Sequence, residues 1–166
     1  MRALETKQLI ELLNKNWMTH DAMWFLHCMQ ECGMEKTNRI NKAAVRAMGM
    51  IEAKRIAKAL GVGKVQTFED FKRLFEGAAE LVMPDFMKFT YTFKADKLLH
   101  AEWQTCFAHE GISRIGAIAE YECGIFERIE AWLDALNIPF RVTPEVRGCM
   151  MHSEGQCYRD YELDLE

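Results

Sequence analysis

An α+β domain is predicted for this chain by three features: helical periodicity fills the first half, two alternating runs follow Pro84, and helical periodicity then returns before a last alternating run. The expected architecture is a set of N-terminal helices packed with an antiparallel sheet that is interrupted by one long helix. The 166 residues suit one domain, with a helical portion over residues 1–82 and a strand-helix-strand portion over residues 83–166 that ends in a cysteine hairpin. A chain of this length buries roughly two thirds of its unfolded surface, so one core suffices without disulfides.

Taken in order, Thr6 caps a short helix to Asn14 whose Leu9, Ile10, Leu12 and Leu13 favour burial. A second helix follows from Thr19, with Asp21 in its first turn and Met18 and Met23 at staple spacing. Ala22, Phe25, Leu26 and Met29 form its apolar face, while His20, Trp24, His27 and Glu31 fall roughly opposite. Gly33 closes it. Thr37 or Asn38 then caps a long helix to Leu60, closed by Gly61, with small residues at Ala43, Ala44 and Ala47 that permit close approach of another helix. Thr67 and Asp70 have capping-box spacing before an amphipathic helix carrying Phe68, Phe71, Leu74, Phe75 and Ala78 to about Glu80.

Past Pro84 the period becomes two. Met87, Phe89, Tyr91 and Phe93 alternate with polar residues, as do Leu99, Ala101, Trp103 and Thr105. For both apolar faces to coincide, Phe93 must oppose Leu99, which places the turn at Ala95-Asp96-Lys97. Residues 111–136 read as the longest helix, with Cys123 near its buried edge, stopped at Asn137-Ile138-Pro139. Phe140 to Val142 begin a strand, and Arg147 to Met151 and Cys157 to Leu165 read as a terminal hairpin turning through His152 to Gly155. Cys157, Arg159, Tyr161, Leu163 and Leu165 share one face of its last strand, and all but Arg159 belong inside.

The net charge of −4 gives no basic field to attract nucleic acid or an anionic membrane, and the locally basic stretch from Arg39 to Lys64 lacks interleaved aromatics. No apolar run approaches the roughly 20 residues that span a bilayer. The N-terminus resembles no signal peptide, so a cytoplasmic, reducing location is expected, in which cysteines serve as thiols or metal ligands.

Three constellations carry possible chemistry. Cys106, Cys123, Cys149 and Cys157 form a candidate thiolate site for zinc or iron, with Cys149-x7-Cys157 close enough for a hairpin to join. Strict alternation points Cys106 away from the Trp103 face, and all four are equally readable as small buried hydrophobes. His20, Trp24 and His27 form a second group. The two histidines lie about 10 Å apart along a straight helix, too far to share an ion, so a ligand pocket or a homodimer interface is the better reading. Arg55, as a rim residue or anion ligand, and Tyr121 complete the candidate ligand contacts. The third is His109 to Arg114, where the free amides of a helix start would join His109 and Arg114 in holding an anion. GxGxxG, P-loop, GxSxG and HExxH patterns do not occur.

The stretch HDAMWFLHCMQECGMEKTNRINKAAVRAMGMIEAKRIAKALG, with YECGIFERIEAWLDALNIPF, resembles a family of uncharacterised prokaryotic cytosolic proteins near the L-2-amino-thiazoline-4-carboxylic acid hydrolase-like proteins. The terminal GCMMHSEGQCYRDYEL is similar to the closing cysteine hairpin of 4-vinyl reductase-type ligand-binding domains, on Cys149, Gly155 and Cys157. The second resemblance implies a ligand-binding domain, sometimes with zinc. The first implies ring-opening hydrolysis of a small heterocyclic carboxylate at a cysteine-bearing site. The leading expectation is a dimeric small-molecule-binding protein whose pocket lies between the N-terminal helices and the sheet, near Cys123, Cys149 and Cys157. The rival is a hydrolase in which thiolate-bound metal activates water or Cys123 attacks directly, with His109 or His20 as base and Arg114 on the substrate carboxylate. A third reading makes the Trp24 face an interaction surface.

Overall fold

One glycine separates the two longest helices. In this computed structural model, which describes residues 4–166, α1 spans Thr6–Cys32 and α2 spans Met34–Ala59, with Gly33 at φ +79° between them. The two short helices expected before Gly33 are one. The sequence from Thr6 to Cys32 contains neither Gly nor Pro, so nothing interrupts the backbone bonds at Lys15 to Met18. Of the residues in α1 only Phe25 is fully buried, leaving Leu9, Leu12, Leu13 and Trp24 exposed. Thr37 and Asn38 do not cap α2 but lie buried inside it. Thr37 donates its hydroxyl to Gly33 O at 2.9 Å. Asn38 donates to Glu120 O at 2.7 Å and accepts from the Glu122 amide at 3.1 Å, which ties α2 to the segment before the last long helix.

The capping box forms as read: the Asp70 amide donates to Thr67 Oγ1 at 3.2 Å, and the Thr67 amide donates to the Asp70 carboxylate at 3.2 Å. It opens α3, Phe68–Val82. Its Phe68, Phe71 and Phe75 meet Phe93, and Phe75 also meets Tyr91 with ring centroids 5.1 Å apart, so α3 covers one face of the sheet.

That sheet is antiparallel and α+β in setting, with strands β1 (Phe89–Lys94), β2 (Leu98–Trp103), β3 (Phe140–Thr143) and β4 (Tyr158–Leu163) in the order β1-β2-β4-β3. Phe93 opposes Leu99, as the coincidence of apolar faces requires. Leu99, Ala101, Trp103, Tyr161 and Leu163 are buried on the helix-covered face. His100 and Asp160, 2.7 Å apart, lie half-buried on the other.

Two further expected elements differ. The helix read over residues 111–136 is two helices, α4 (Phe107–Arg114) and α5 (Ile125–Ala135), joined by a 3-10 turn at Ile118–Glu120. Gly116, at φ +73°, ends α4: its amide bonds Ser113 O at 3.0 Å and the Ala117 amide bonds Ile112 O at 3.1 Å, the paired C-terminal bonds that only a left-handed residue allows. The terminal hairpin is also absent. Residues from Met150 to Glu154 form a short helix, α6, closed by Gly155 at φ +70°. β4 instead pairs with β2 on one side and β3 on the other, so both its edges are filled.

Helix α5 packs along α2 at closest approach beside Gly49, where an added Cβ would lie 2.9 Å from the Ala131 Cβ. Ala43, Ala44 and Ala47, the small residues expected to meet another helix, are exposed, and the contact falls instead on the side of α2 that carries Gly49 and Ala53.

Candidate functional site

Between α1, α2, α4 and α5, and beside the end of β2, lies a cavity of about 320 Å³. Its wall is mostly apolar, with Met48, Phe25, Ile112 and Ile129 among its members, and it holds no Cys, Ser or His. A mostly apolar space of this size, bounded by several helices, lies at the lower end of the range of small-molecule pockets.

Few polar groups face this space. Arg128 on α5 donates from Nε and Nη2 to Glu52 of α2 at 2.7 and 2.5 Å, and Trp132 Nε1 donates to the same carboxylate at 2.9 Å. The guanidinium also lies 5.0 Å from the centre of the Trp17 ring. Arg128 is therefore a charge-balanced strut between α5, α2 and α1. Asp21, also on the wall, has its carboxyl pKa raised by partial loss of water, an effect opposed by His20 and Arg128. Trp103, likewise on the wall, has a buried indole N–H with no hydrogen-bond partner among the described residues. Tyr121 carries its hydroxyl against the Gly124 amide, which donates to it at 3.3 Å.

The second feature is the set of thiols. Cys106 precedes α4, Cys123 precedes α5, Cys149 caps α6, and Cys157 precedes β4, where its carbonyl accepts from the Trp103 amide at 2.8 Å. β2 ends at Trp103, so the alternation that would aim Cys106 outward does not reach it, and Cys106 is buried. Burial pushes the Cys106 and Cys157 thiols up to about 12, and the charges of neighbouring thiols add to the effect. Cys123 is also raised by burial, against the pull of the Ile125 and Phe126 amides. The fold thus draws these four thiols into one neighbourhood. Burial holds Cys106, Cys123 and Cys157 in the protonated form at neutral pH, the opposite of an activated nucleophile. Among the described residues, no group of three or more His, Cys, Asp or Glu side chains is arranged to hold a metal ion.

The remaining candidates are dispersed. Trp24 is 62% exposed, and its indole N–H donates to His20 Nε2 at 3.2 Å. His27 meets Gln30 at 3.0 Å, and Arg55 is exposed on α2. Of the five expected ligand contacts only Tyr121 lines the large cavity. His109 and Arg114 stand inside α4, which begins at Phe107, so the amides from Glu110 onward are spent within the helix, and those of Ala108 and His109 face the Cys106 thiol instead of an anion site. Arg114 is exposed and pairs with Glu110 at 3.6 Å. Cys123, His109 and Arg114 therefore share no cavity wall in this structure.

Sequence reasoning missed Asp21, Asn41, Trp103 and Arg128 as wall residues. Arg128 had a visible signal, a charge placed between Ile125, Ile129 and Trp132 of an apolar stripe. No curated protein and no solved structure matches this chain. The match found covers less than half of it: a family of unknown function (DUF6125) matches residues 2–78, the segment of α1, α2 and most of α3.

Proposed function

We propose that this protein binds a mainly apolar small molecule in the cavity between α1, α2, α4 and α5. The observation that carries this reading is the cavity itself, about 320 Å³ of space inside an apolar wall. Burial of an apolar ligand there supplies the driving force, at about 25 cal/mol per Å² of surface removed from water. The unpartnered Trp103 indole would reward a ligand that brings one hydrogen-bond acceptor. The test is titration with the fluorescent amine N-phenyl-1-naphthylamine. Saturable binding is expected, weakened at least about tenfold by Ala22→Phe, which adds a ring to the wall without touching the sheet. Equal affinity in the variant, or no saturable binding to the original protein, would remove this function.

The convergence of Cys106, Cys123, Cys149 and Cys157 supports a second reading, in which thiolates bind zinc or iron as a structural brace. Thiolates are the soft donors these ions take, but the sulfurs would have to draw together and release their protons. Metal analysis of protein purified without chelators or oxygen decides it. About one ion per chain, lost in Cys157→Ser, is the expected result. A content far below that, or one unchanged in the variant, counts against any thiolate site.

A further inference from the structure

Helix α5 separates two cavities. Its Ile125, Arg128 and Ile129 face the apolar one, whereas Phe126, Glu127 and Glu130 line another of about 170 Å³, together with Cys123, Lys42 and Arg159. No residue lines both.

Arg159 is the unusual member of the second wall. It comes from the inward face of β4 and is only 4% exposed. Its Nη1 donates to the carbonyl of Tyr158 at 2.6 Å and lies 3.4 Å from Met150 Sδ, and the Phe126 ring sits 4.5 Å from the guanidinium carbon. Nε and Nη2 have no hydrogen-bond partner, and no carboxylate pairs with this arginine among the described residues. Glu127, on the same wall, is already shared by Lys42 at 3.5 Å and Arg46 at 3.4 Å, and Glu130 feels the charge of Arg159 without a hydrogen bond to it. Two residues along the same strand face, the Tyr161 hydroxyl is buried with no hydrogen-bond partner among the described residues.

A buried cation that no carboxylate contacts directly is costly, and the cost is relieved when an anion reaches its free edge. With Nη1 occupied, the guanidinium offers its Nε and Nη2 edge, two parallel N–H groups whose spacing matches the two oxygens of a carboxylate. Glu130 and Glu145 also line this cavity, and their charges repel a dianion more than a monoanion. The volume admits a molecule of a few heavy atoms. We propose that this second cavity is a binding site for a small monocarboxylate, held side-on by the Nε and Nη2 edge of Arg159. The site is independent of the apolar cavity and of any metal.

The test titrates sodium acetate, and separately inorganic phosphate, into the full chain at constant ionic strength in a carboxylate-free buffer at neutral pH, read by calorimetry and by saturation-transfer NMR of the acetate methyl. Acetate is expected to saturate, with phosphate at least about tenfold weaker. Arg159→Gln should lower acetate affinity at least about tenfold. Glu145→Gln, at an exposed wall position where folding is not at stake, should tighten it by about two- to fivefold. Ala22→Phe should leave acetate binding unchanged, which separates this site from the apolar one. Acetate that fails to saturate by about 100 mM, phosphate bound as tightly as acetate, or acetate affinity unaltered in Glu145→Gln would each overturn the proposal.

Discussion

Glu130 stands half-buried on α5, and desolvation raises its carboxyl pKa, with Glu127 adding to the rise and Arg46 and Arg159 opposing it. A raised acid binds its proton more tightly in the folded chain than in the unfolded one. Its favourable contribution is therefore complete below the ordinary value of 4.5 and is lost as pH climbs through the folded value. Glu130→Gln removes that dependence. The expected outcome is a variant whose thermal midpoint gains on the original protein as pH rises from 4.5 toward neutrality. A difference between the two that stays flat across this range would mean that Glu130 is not desolvated. The same physics explains the thiols: burial outweighs the opposing pulls, that of Arg159 on Cys157 included, keeps Cys106 and Cys157 protonated and turns potential nucleophiles into packing groups.

Among the elements, the α2–α5 contact depends most on a single position. Gly49 is buried, and a Cβ there would lie 2.9 Å from the Ala131 Cβ and 3.1 Å from the Arg128 carbonyl oxygen. Gly49→Ala gains about 1 kcal/mol of helix propensity, but the partner is backbone and cannot yield as a side chain would, so overpacking at about 1–3 kcal/mol opposes it. A net loss is expected, read as a lower urea midpoint at an unchanged slope. Because α5 walls both cavities, the same change should also weaken N-phenyl-1-naphthylamine binding. A stabilised variant would show that the helices part freely. The caps were legible in part: Glu5 and not Thr6 caps α1, no helix starts at Thr19, and Thr37 and Asn38 lie within α2. Thr67 with Asp70 and the glycine at 61 follow from side-chain chemistry within four residues. Gly116 uses the same device, yet inside a continuous apolar stripe its left-handed conformation was masked by the periodicity around it.

For the whole molecule, one helical layer covers one face of a four-stranded sheet, and α5 divides the space beneath into an apolar and a polar cavity. The sequence alone determined the α+β class, the capping box, the β1–β2 register and the inward face of the last strand, because each depends on a period or on neighbours a few residues apart. It set Arg159 apart from that inward set, yet the residue is only 4% exposed and lies inside with its neighbours, because the whole β4 face is covered. Only the tertiary structure decided that β4 inserts between β2 and β3, that Trp103 and Arg128 share a wall, and that Cys106 joins the other thiols. Strand order and cavity walls come from contacts between residues far apart in the chain, and no local pattern of polarity encodes which distant surface will fill a given gap.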